Sequence, residues 1–334
     1  MTHRVTLKPS GHTYQVDEGK SVLQAGLDAG FMMPYSCRIG TCRTCRGTLV
    51  EGKVDYGRVH EHYLPDSDKA KGYALLCQAT PLTDLVVEVR EVEGFKPRLI
   101  PCRVEKLEKP APDVAVLGLR LPMNENFRFL AGQFIDILLK DGRKRSYSLA
   151  TMPTTAGVTA LEIHVRHTPG GAFTDHVFSN LKVRDLLRFE GPLGSFYLRE
   201  ESEKPIVMVA SGTGFAPIKA ICEYAAQKKI NRPITLYWGG RVKRDLYMAD
   251  LAASWPHVKF VPVISDEPYE GRTGFVHRAV MEDFPDLSGH QVYACGAPVV
   301  VESARKDFSA KCGLPADEFF ADSFLTEAEK AVTS

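Results

Sequence analysis

No stretch of this 334-residue chain approaches the roughly 18 consecutive apolar side chains that a membrane-crossing helix needs. The opening residues, MTHRVTLKPS, lack the apolar core of a secretory signal, so a cytoplasmic protein without a membrane partner is expected. An excess of one charge is also missing: 42 Lys and Arg stand against 41 Asp and Glu, a net charge of +1. That balance argues against nucleic-acid binding through a bulk basic surface and against an acidic disordered tail. Repeats and low-complexity tracts are absent. What is present is 44% apolar residues, enough for real cores, in a chain long enough for two or three domains. A monomer is expected.

Eight cysteines, at 37, 42, 45, 77, 102, 222, 295 and 312, are unusual in a chain of this kind. Scattered intracellular thiols are ordinarily small buried hydrophobes, and Cys102, Cys222 and Cys312 are read so. Cys37, Cys42 and Cys45 instead fall within nine residues, and Cys77 follows 32 positions later. C-x4-C-x2-C…C is the plant-type [2Fe–2S] spacing. A tight loop lets Cys37 and Cys42 reach one iron while its backbone N–H groups point at the sulfides; Cys45 and Cys77 then hold the other. Zinc sites favour paired C-x2-C knuckles, and Cys77 has no such partner nearby.

Around these cysteines, Val5, Leu7, Tyr14 and Val16 read as a hairpin turning at Gly11. Ser21 opens an amphipathic helix with Val22, Leu23 and Leu27 on one side, and 85–89 reads as a closing strand. The order suits a small β-grasp domain. From Cys102 to about Phe196 short strands dominate, at 114–121, 134–139, 146–150, 161–166 and 187–190, which predicts an antiparallel β-barrel. In it, Arg145 and Tyr147 share one face of a strand beside Ser148, and a guanidinium with an aromatic ring suits the phosphate and flat ring of a flavin. Gly170-Gly171-Ala172-Phe173-Thr174 precedes a helical pattern over 175–181, where free N–H groups would meet phosphate. The last module opens with the buried strand pattern Pro205-Ile-Val-Met-Val-Ala, then Ser211-Gly212-Thr213-Gly214-Phe215-Ala216-Pro217 and a helix through Ile218, Ile221 and Cys222. Pro217 stands where the dinucleotide fingerprint has its third Gly, and Pro suits a first helical turn. Strands at 234–238, 259–264 and 291–294 alternate with helices and predict a doubly wound parallel sheet, with Cys295-Gly296 just past a strand's C-terminal end.

Taken together the chain resembles the ferredoxin–NADP reductase superfamily, in the arrangement with an N-terminal plant-type ferredoxin domain. Oxygenase reductase components and CDP-6-deoxy-delta-3,4-glucoseen reductase-like proteins share that arrangement. The resemblance rests on Tyr35-Ser-Cys, Arg145-Ser-Tyr-Ser, Gly212-Thr-Gly-Phe-Ala-Pro, Leu236-Tyr-Trp-Gly, Gly274-Phe-Val-His and Val292-Tyr-Ala-Cys-Gly. It implies three domains: 1–92 for a [2Fe–2S] cluster, 98–202 for FAD and 205–334 for NAD(P), with linkers at 93–97 and 200–205 and a frayed tail at 327–334. By resemblance, Arg145 holds a flavin phosphate, Tyr147 packs on the isoalloxazine and Ser148 hydrogen-bonds near its reactive nitrogen. His164, Val165 and Arg166 contact the adenylate and ribityl side, and Gly171 and Thr174 approach the pyrophosphate. Gly212, Thr213 and Gly214 cradle the nicotinamide dinucleotide, Cys295 and Gly296 lie by the nicotinamide ring, and Phe324 covers the flavin. The family departs from this chain at Arg43 and Ser211, where relatives usually carry Gly.

The implied function is an NAD(P)H-dependent reductase that passes electrons through FAD and the cluster to an acceptor protein. That acceptor would be a Rieske-type oxygenase component or, alternatively, a deoxysugar dehydrase; a redox sensor is the remote alternative. The chain has no Cys-x-His pair of the Rieske type and so is not itself the oxygenase. No general base is assigned among the ten histidines. Residues 1–92 carry 11 basic and 11 acidic side chains, yet the cluster loop holds Arg38, Arg43 and Arg46 with no acid nearby in sequence. Such a patch would dock an acidic surface on the acceptor and lift the cluster potential above the roughly −400 mV of plant-type ferredoxins. For the nicotinamide, no acid lies about 20 residues past the glycines, and Arg241, Lys243 and Arg244 could greet a 2′-phosphate. Relatives generally use NADH, so NADH is the expectation and NADPH the alternative.

Overall fold

In the computed structural model residues 2–92 and 94–324 are described, which leaves Met1, Glu93 of the first linker and 325–334, with the tail 327–334, outside. The described chain divides into two compact units, one within residues 2–96 and the other Pro97–Phe324. Among the described residues no helix is long and apolar enough to cross a membrane.

The first unit is built on a five-stranded mixed sheet. Its order is Thr13–Val16, His3–Lys8, Leu85–Glu88, Arg46–Glu51 and Tyr73–Leu75. The expected hairpin forms, with Val5 opposite Tyr14, and Val5, Leu7, Tyr14 and Val16 all buried. Ser21 caps the helix Val22–Asp28 through a 3.2 Å bond from the Gln24 amide. Its buried face is Val22, Leu23, Ala25 and Gly26, with Leu27 at the rim rather than inside. The strand read as closing the domain instead lies in the middle of the sheet. Leu85–Glu88 runs parallel to His3–Lys8 and antiparallel to Arg46–Glu51. Its run of Leu and Val suits a strand flanked on both edges.

The second unit contains two sheets. Six antiparallel strands follow the order Lys144–Ser148, Phe134–Leu138, Leu186–Leu193, Arg98–Ala111, Val114–Arg120 and Ala160–Arg166. A bridge between Leu149 and Ile163 joins the two ends and closes the barrel. Its longest strand, Arg98–Ala111, was not anticipated, although Ile100, Cys102 and Val104 alternate as a buried set. Pro101 and Pro110 obscure that alternation, and both are tolerated because their neighbours still pair.

Six parallel strands make the other sheet, in the order Arg272–Thr273, Val258–Ile264, Ile234–Gly240, Ile206–Ser211, Gln291–Gly296 and Phe319–Ser323. Alternate residues of one strand feed opposite cores: Met208 and Ala210 join Phe215, Ile218 and Trp238, while Val207 and Val209 join Val276, Val280 and Val301. Both faces are therefore covered, as a doubly wound sheet requires. Strand order reverses between Ile206–Ser211 and Gln291–Gly296. Ligands bind in such sheets at the crevice beyond that reversal, and its two lips are Ser211–Gly214 and Cys295–Gly296.

Candidate functional site

In the first unit, the turn after the helix Val22–Asp28 and a loop without regular structure bring Cys37, Cys42 and Cys45 together, and Cys77 arrives just beyond the strand Tyr73–Leu75. Cys42, Cys45 and Cys77 are buried and Cys37 is partly so. The four thiols sort into two pairs. Cys37 and Cys42 share a hydrogen bond that holds the Cys37 thiol well below its ordinary pKa and pushes Cys42 well above, while Cys45 pairs with Cys77 and is pushed up by that contact and by burial. The amides of Ile39 and Cys42 donate to the Cys37 sulfur at 3.5 and 3.4 Å. Four soft sulfur donors in a two-and-two arrangement fit a binuclear cluster, which takes two thiolates per iron. Among the described residues no three His, Cys, Asp or Glu side chains form a group able to hold a single metal ion.

The arginine patch is corrected in part. Arg43 has an acid beside it in space: its guanidinium meets Asp68 at 2.7 Å, with both side chains mostly buried. Asp68 lies 25 residues away on the short helix Asp66–Ala70, beyond what a local charge count sees. Arg43 also occupies the left-handed backbone region at φ 61°, as Arg38 does at 59°. Glycine adopts that conformation freely, which explains the family's usual Gly, and a side chain there costs about 1–2 kcal/mol. Arg38 lies against the Tyr35 ring at 5.1 Å and Arg46 over Tyr73 at 4.4 Å.

In the second unit, Arg145 and Tyr147 project from one face of the strand Lys144–Ser148, and the Tyr147 ring lies 5.3 Å from that of Phe173. Gly171 caps the helix Ala172–Ser179, which begins three residues earlier than the sequence pattern suggests. The Thr174 hydroxyl is spent inside the turn, donating to Thr168 O at 2.8 Å, so Thr174 shapes the loop. Along Ala160–Arg166, Val165 enters the barrel core, while Glu162, His164 and Arg166 share the outward face. His164 is fully buried against the parallel-sheet half of the unit, with Nδ1 2.7 Å from the Tyr247 hydroxyl and Nε2 3.0 Å from Glu162. Burial holds its pKa below the ordinary histidine value, so the neutral ring donates from Nε2 and accepts at Nδ1. Arg166 donates to Asp113 at 2.8 Å and reaches toward the Gly212 turn, where an added Cβ would lie 2.6 Å from its Nη1.

At the reversal of strand order the parts converge. Gly212–Gly214 form a single tight turn, and Phe215–Gln227 follows as a helix with Pro217 in its first turn. A Cβ on Gly214 would sit 2.2 Å from the Cys295 carbonyl oxygen, so glycine is what lets the two lips touch. The buried Trp238 indole donates to Gly212 O at 3.2 Å and pins the turn from below. Cys295 is fully buried, and burial together with Asp322 keeps its thiol protonated. Ser148 joins this point from the barrel, with its hydroxyl 3.3 Å from Asp322. Phe324 is tied by its amide to Gly296 O at 2.8 Å and packs partly buried on the adjoining core. Asp322 was not singled out in the sequence. Only the long-range register that sets it beside Cys295 reveals it, and no local pattern carries that.

Comparison with known proteins agrees with this geometry. The 2Fe-2S iron-sulfur cluster binding domain matches residues 5–82, the oxidoreductase FAD-binding domain 101–197 and the oxidoreductase NAD-binding domain 208–306. A CDP-6-deoxy-L-threo-D-glycero-4-hexulose-3-dehydrase reductase of Yersinia pseudotuberculosis is 39% identical, with 97% of this chain and 99% of that one aligned. The reductase component 2 of terephthalate 1,2-dioxygenase from Comamonas is 36% identical over 98% of each chain. The crystal structure of an Amycolatopsis cytochrome P450 reductase has a TM-score of 0.76 at 34% identity, covering 96% of this chain and 98% of its own. The chain therefore belongs to the ferredoxin–NADP reductase superfamily, in the branch that joins a [2Fe–2S] ferredoxin domain to FAD- and NAD-binding domains, and is an NAD(P)H oxidoreductase that transfers electrons to a partner.

Proposed function

We propose that the chain is the reductase component of a Rieske-type oxygenase, drawing electrons from NADH. The observation that carries the redox reading is the meeting of Ser148, Cys295, Asp322 and the Gly212–Gly214 turn at one point of the second unit, with four paired thiols in the first. In this reading Cys37 and Cys42 hold one iron and Cys45 and Cys77 the other. Arg145 binds a flavin phosphate, Tyr147 lies on the isoalloxazine and Gly171 leads the pyrophosphate turn. Gly212, Thr213 and Gly214 carry the nicotinamide dinucleotide, and Phe324 covers the flavin. When bound, the flavin accepts two electrons as a hydride and releases them singly to the one-electron cluster.

The protein's own work is placement. Ser148 stands at the flavin edge with its hydroxyl oriented by Asp322, and the protonated Cys295 forms a neutral, polarizable wall at the nicotinamide. His164 is neutral and already bonded at both nitrogens, which supports giving His164 no role as a general base.

NADH is favoured by the cleft beside this point, about 430 Å³, lined by Pro112, Asp113, Arg241, Val242, Arg244, Asp245 and Asp266. Asp113, Asp245 and Asp266 there balance Arg241, Arg244 and the Arg166 guanidinium that pairs with Asp113 and Asp245, leaving no surplus positive charge for a 2′-phosphate. Steady-state kinetics should give kcat/KM for NADH about tenfold or more above NADPH; equal values would reassign the nicotinamide.

The acceptor reading is tested by anaerobic mixing of the NADH-reduced protein with purified candidate components. Reduction of an oxygenase component is expected. A second reading, service to a deoxysugar dehydrase, is favoured by the 39% identity to a dehydrase reductase, and reduction of the dehydrase alone would establish it instead. The patch that would dock an acidic acceptor surface is Arg38, Arg43 and Arg46, of which Arg43 also pairs with Asp68. Arg38→Gln with Arg46→Gln should lower the cluster potential and flatten the salt dependence of transfer, because partly exposed charges are screened beyond a Debye length of about 10 Å at 0.1 M salt. If neither quantity moves, the patch has no docking role.

A further inference from the structure

The outward face of the barrel strand Ala160–Arg166 starts a chain of buried polar contacts that ends at the glycine turn. Lys219, on the helix Phe215–Gln227, extends across to the barrel, where its Nζ donates to Ala150 O at 3.1 Å and lies 3.3 Å from Glu162. Its side chain is only 13% exposed, so the ammonium is committed to these partners and to Glu223, 3.1 Å away on its own helix. Ala150 lies two residues past Ser148, and its amide donates to Glu162 O at 2.8 Å. Lys219 thus grips both barrel strands next to Ser148.

From Glu162 the chain continues. His164 donates to Glu162, and the Tyr247 hydroxyl closes on His164 Nδ1. Burial alone would raise the Glu162 carboxyl, but the His164 hydrogen bond and the Lys219 charge pull it down to about 2, so it is a full anion between them. The Tyr247 ring then stands edge-on to Trp238 at 5.2 Å and to Phe215 at 6.1 Å. Trp238 holds Gly212 O, and Phe215 begins the helix that carries Lys219. The circuit therefore returns to its origin: the strand of Ser148 at one side, the Gly212–Gly214 turn at the other, and a closed ring of contacts between them.

We infer that Lys219, with Glu162, His164 and Tyr247, is a positioning residue for the hydride step, fixing the separation between the strand that bears Ser148 and the turn that bears the nicotinamide dinucleotide. None of the four needs to touch the reacting atoms. Their effect is on distance, and hydride transfer is steep in distance: a displacement of about 1 Å can cost a hundredfold. A buried ion pair is a poor source of net stability, but it imposes one geometry, because a carboxylate left without its ammonium is penalised.

The inference rests on flavin binding at Arg145–Ser148, so Arg145→Ala is tested alongside on the full protein. Loss of FAD from Arg145→Ala supports that placement, whereas retained FAD overturns the placement itself, whatever Lys219 does. For Lys219→Met we expect full FAD content, a KM for NADH within about twofold of the parent, and flavin reduction slowed about tenfold or more. The deuterium isotope effect on flavin reduction, measured with NADH labelled at the transferred position, should rise as the separation grows. Electron delivery from chemically reduced protein should be unchanged, and Lys219→Arg should recover most of the lost rate. Flavin reduction within about twofold of the parent with an unaltered isotope effect would overturn the inference. If Lys219→Met fails to fold or loses FAD, Tyr247→Phe, which removes one hydroxyl, decides by the same two readouts.

Discussion

Replacing Cys77 with Ala should abolish delivery of electrons to the acceptor protein while leaving NADH oxidation by a small-molecule dye intact. Cys77 is buried and paired with Cys45, and the loop thiols Cys37 and Cys42 form their own pair. Removing it leaves one half of the two-and-two arrangement with a single thiolate. Loss of an outer-shell partner already costs a metal site about 10–100-fold, and loss of a direct ligand should cost more than the upper figure. The iron content and the cluster absorbance should fall together. The cavity left by one sulfur is small beside the buried side chains of the same unit, Val5, Leu7, Leu75 and Val87 among them. FAD content should stay full, because the proposed flavin residues Arg145, Tyr147 and Gly171 belong to the other compact unit. Retention of full iron and acceptor activity would refute the ligand assignment.

The opposite end of the electron path should fail in Gly214→Ala. The added Cβ would lie 2.2 Å from the Cys295 carbonyl oxygen and 2.8 Å from the Gly296 amide nitrogen. Both are backbone atoms of a central strand end, so no flexible side chain can give way. The turn must lift from the lip it touches, and overpacking of this sort costs about 1–3 kcal/mol of stability. Lifting the turn also moves the proposed nicotinamide site relative to Ser148 and Asp322. Flavin reduction by NADH should slow on the order of a hundredfold, with KM for NADH raised. Protein reduced chemically should still pass electrons to the acceptor at the parent rate, because nothing downstream of the flavin has moved. Unaltered NADH kinetics would show that the two lips are not where the nicotinamide binds.

What could be read in the sequence and what could not divides along a physical line. The proposed cluster cysteines could be singled out because three of the four, Cys37, Cys42 and Cys45, occupy one loop, where spacing sets reach. The placement of Arg145, Tyr147 and Ser148 on one strand was legible from the sequence, as was the uninterrupted strand, turn and helix around Gly212–Gly214. Interactions between remote segments were not. Arg43 looked unneutralised until the fold brought Asp68 to 2.7 Å. Asp322 gained meaning only when its strand paired with the one that carries Cys295. The buried contact of the His164 ring with Tyr247 joins residues 83 positions apart, which no local pattern shows. Leu85–Glu88 reads as a terminal strand in the chain but is central in space, since parallel pairing with His3–Lys8 joins segments that no turn connects. Hydrophobic periodicity reports which face is buried, and says little about which strand lies beside it.

The account as a whole stands on the order of electron flow. Anaerobic stopped-flow mixing of the holoprotein with NADH, following the flavin and cluster absorbances together and then adding the acceptor protein, tests it most directly. The account predicts that the flavin bleaches first, the cluster bleaches after it, and both recover when the acceptor is added, with the second phase missing in Cys77→Ala and the first slowed in Gly214→Ala. Cluster reduction ahead of the flavin, or a cluster that stays oxidised while the acceptor is reduced, would contradict it.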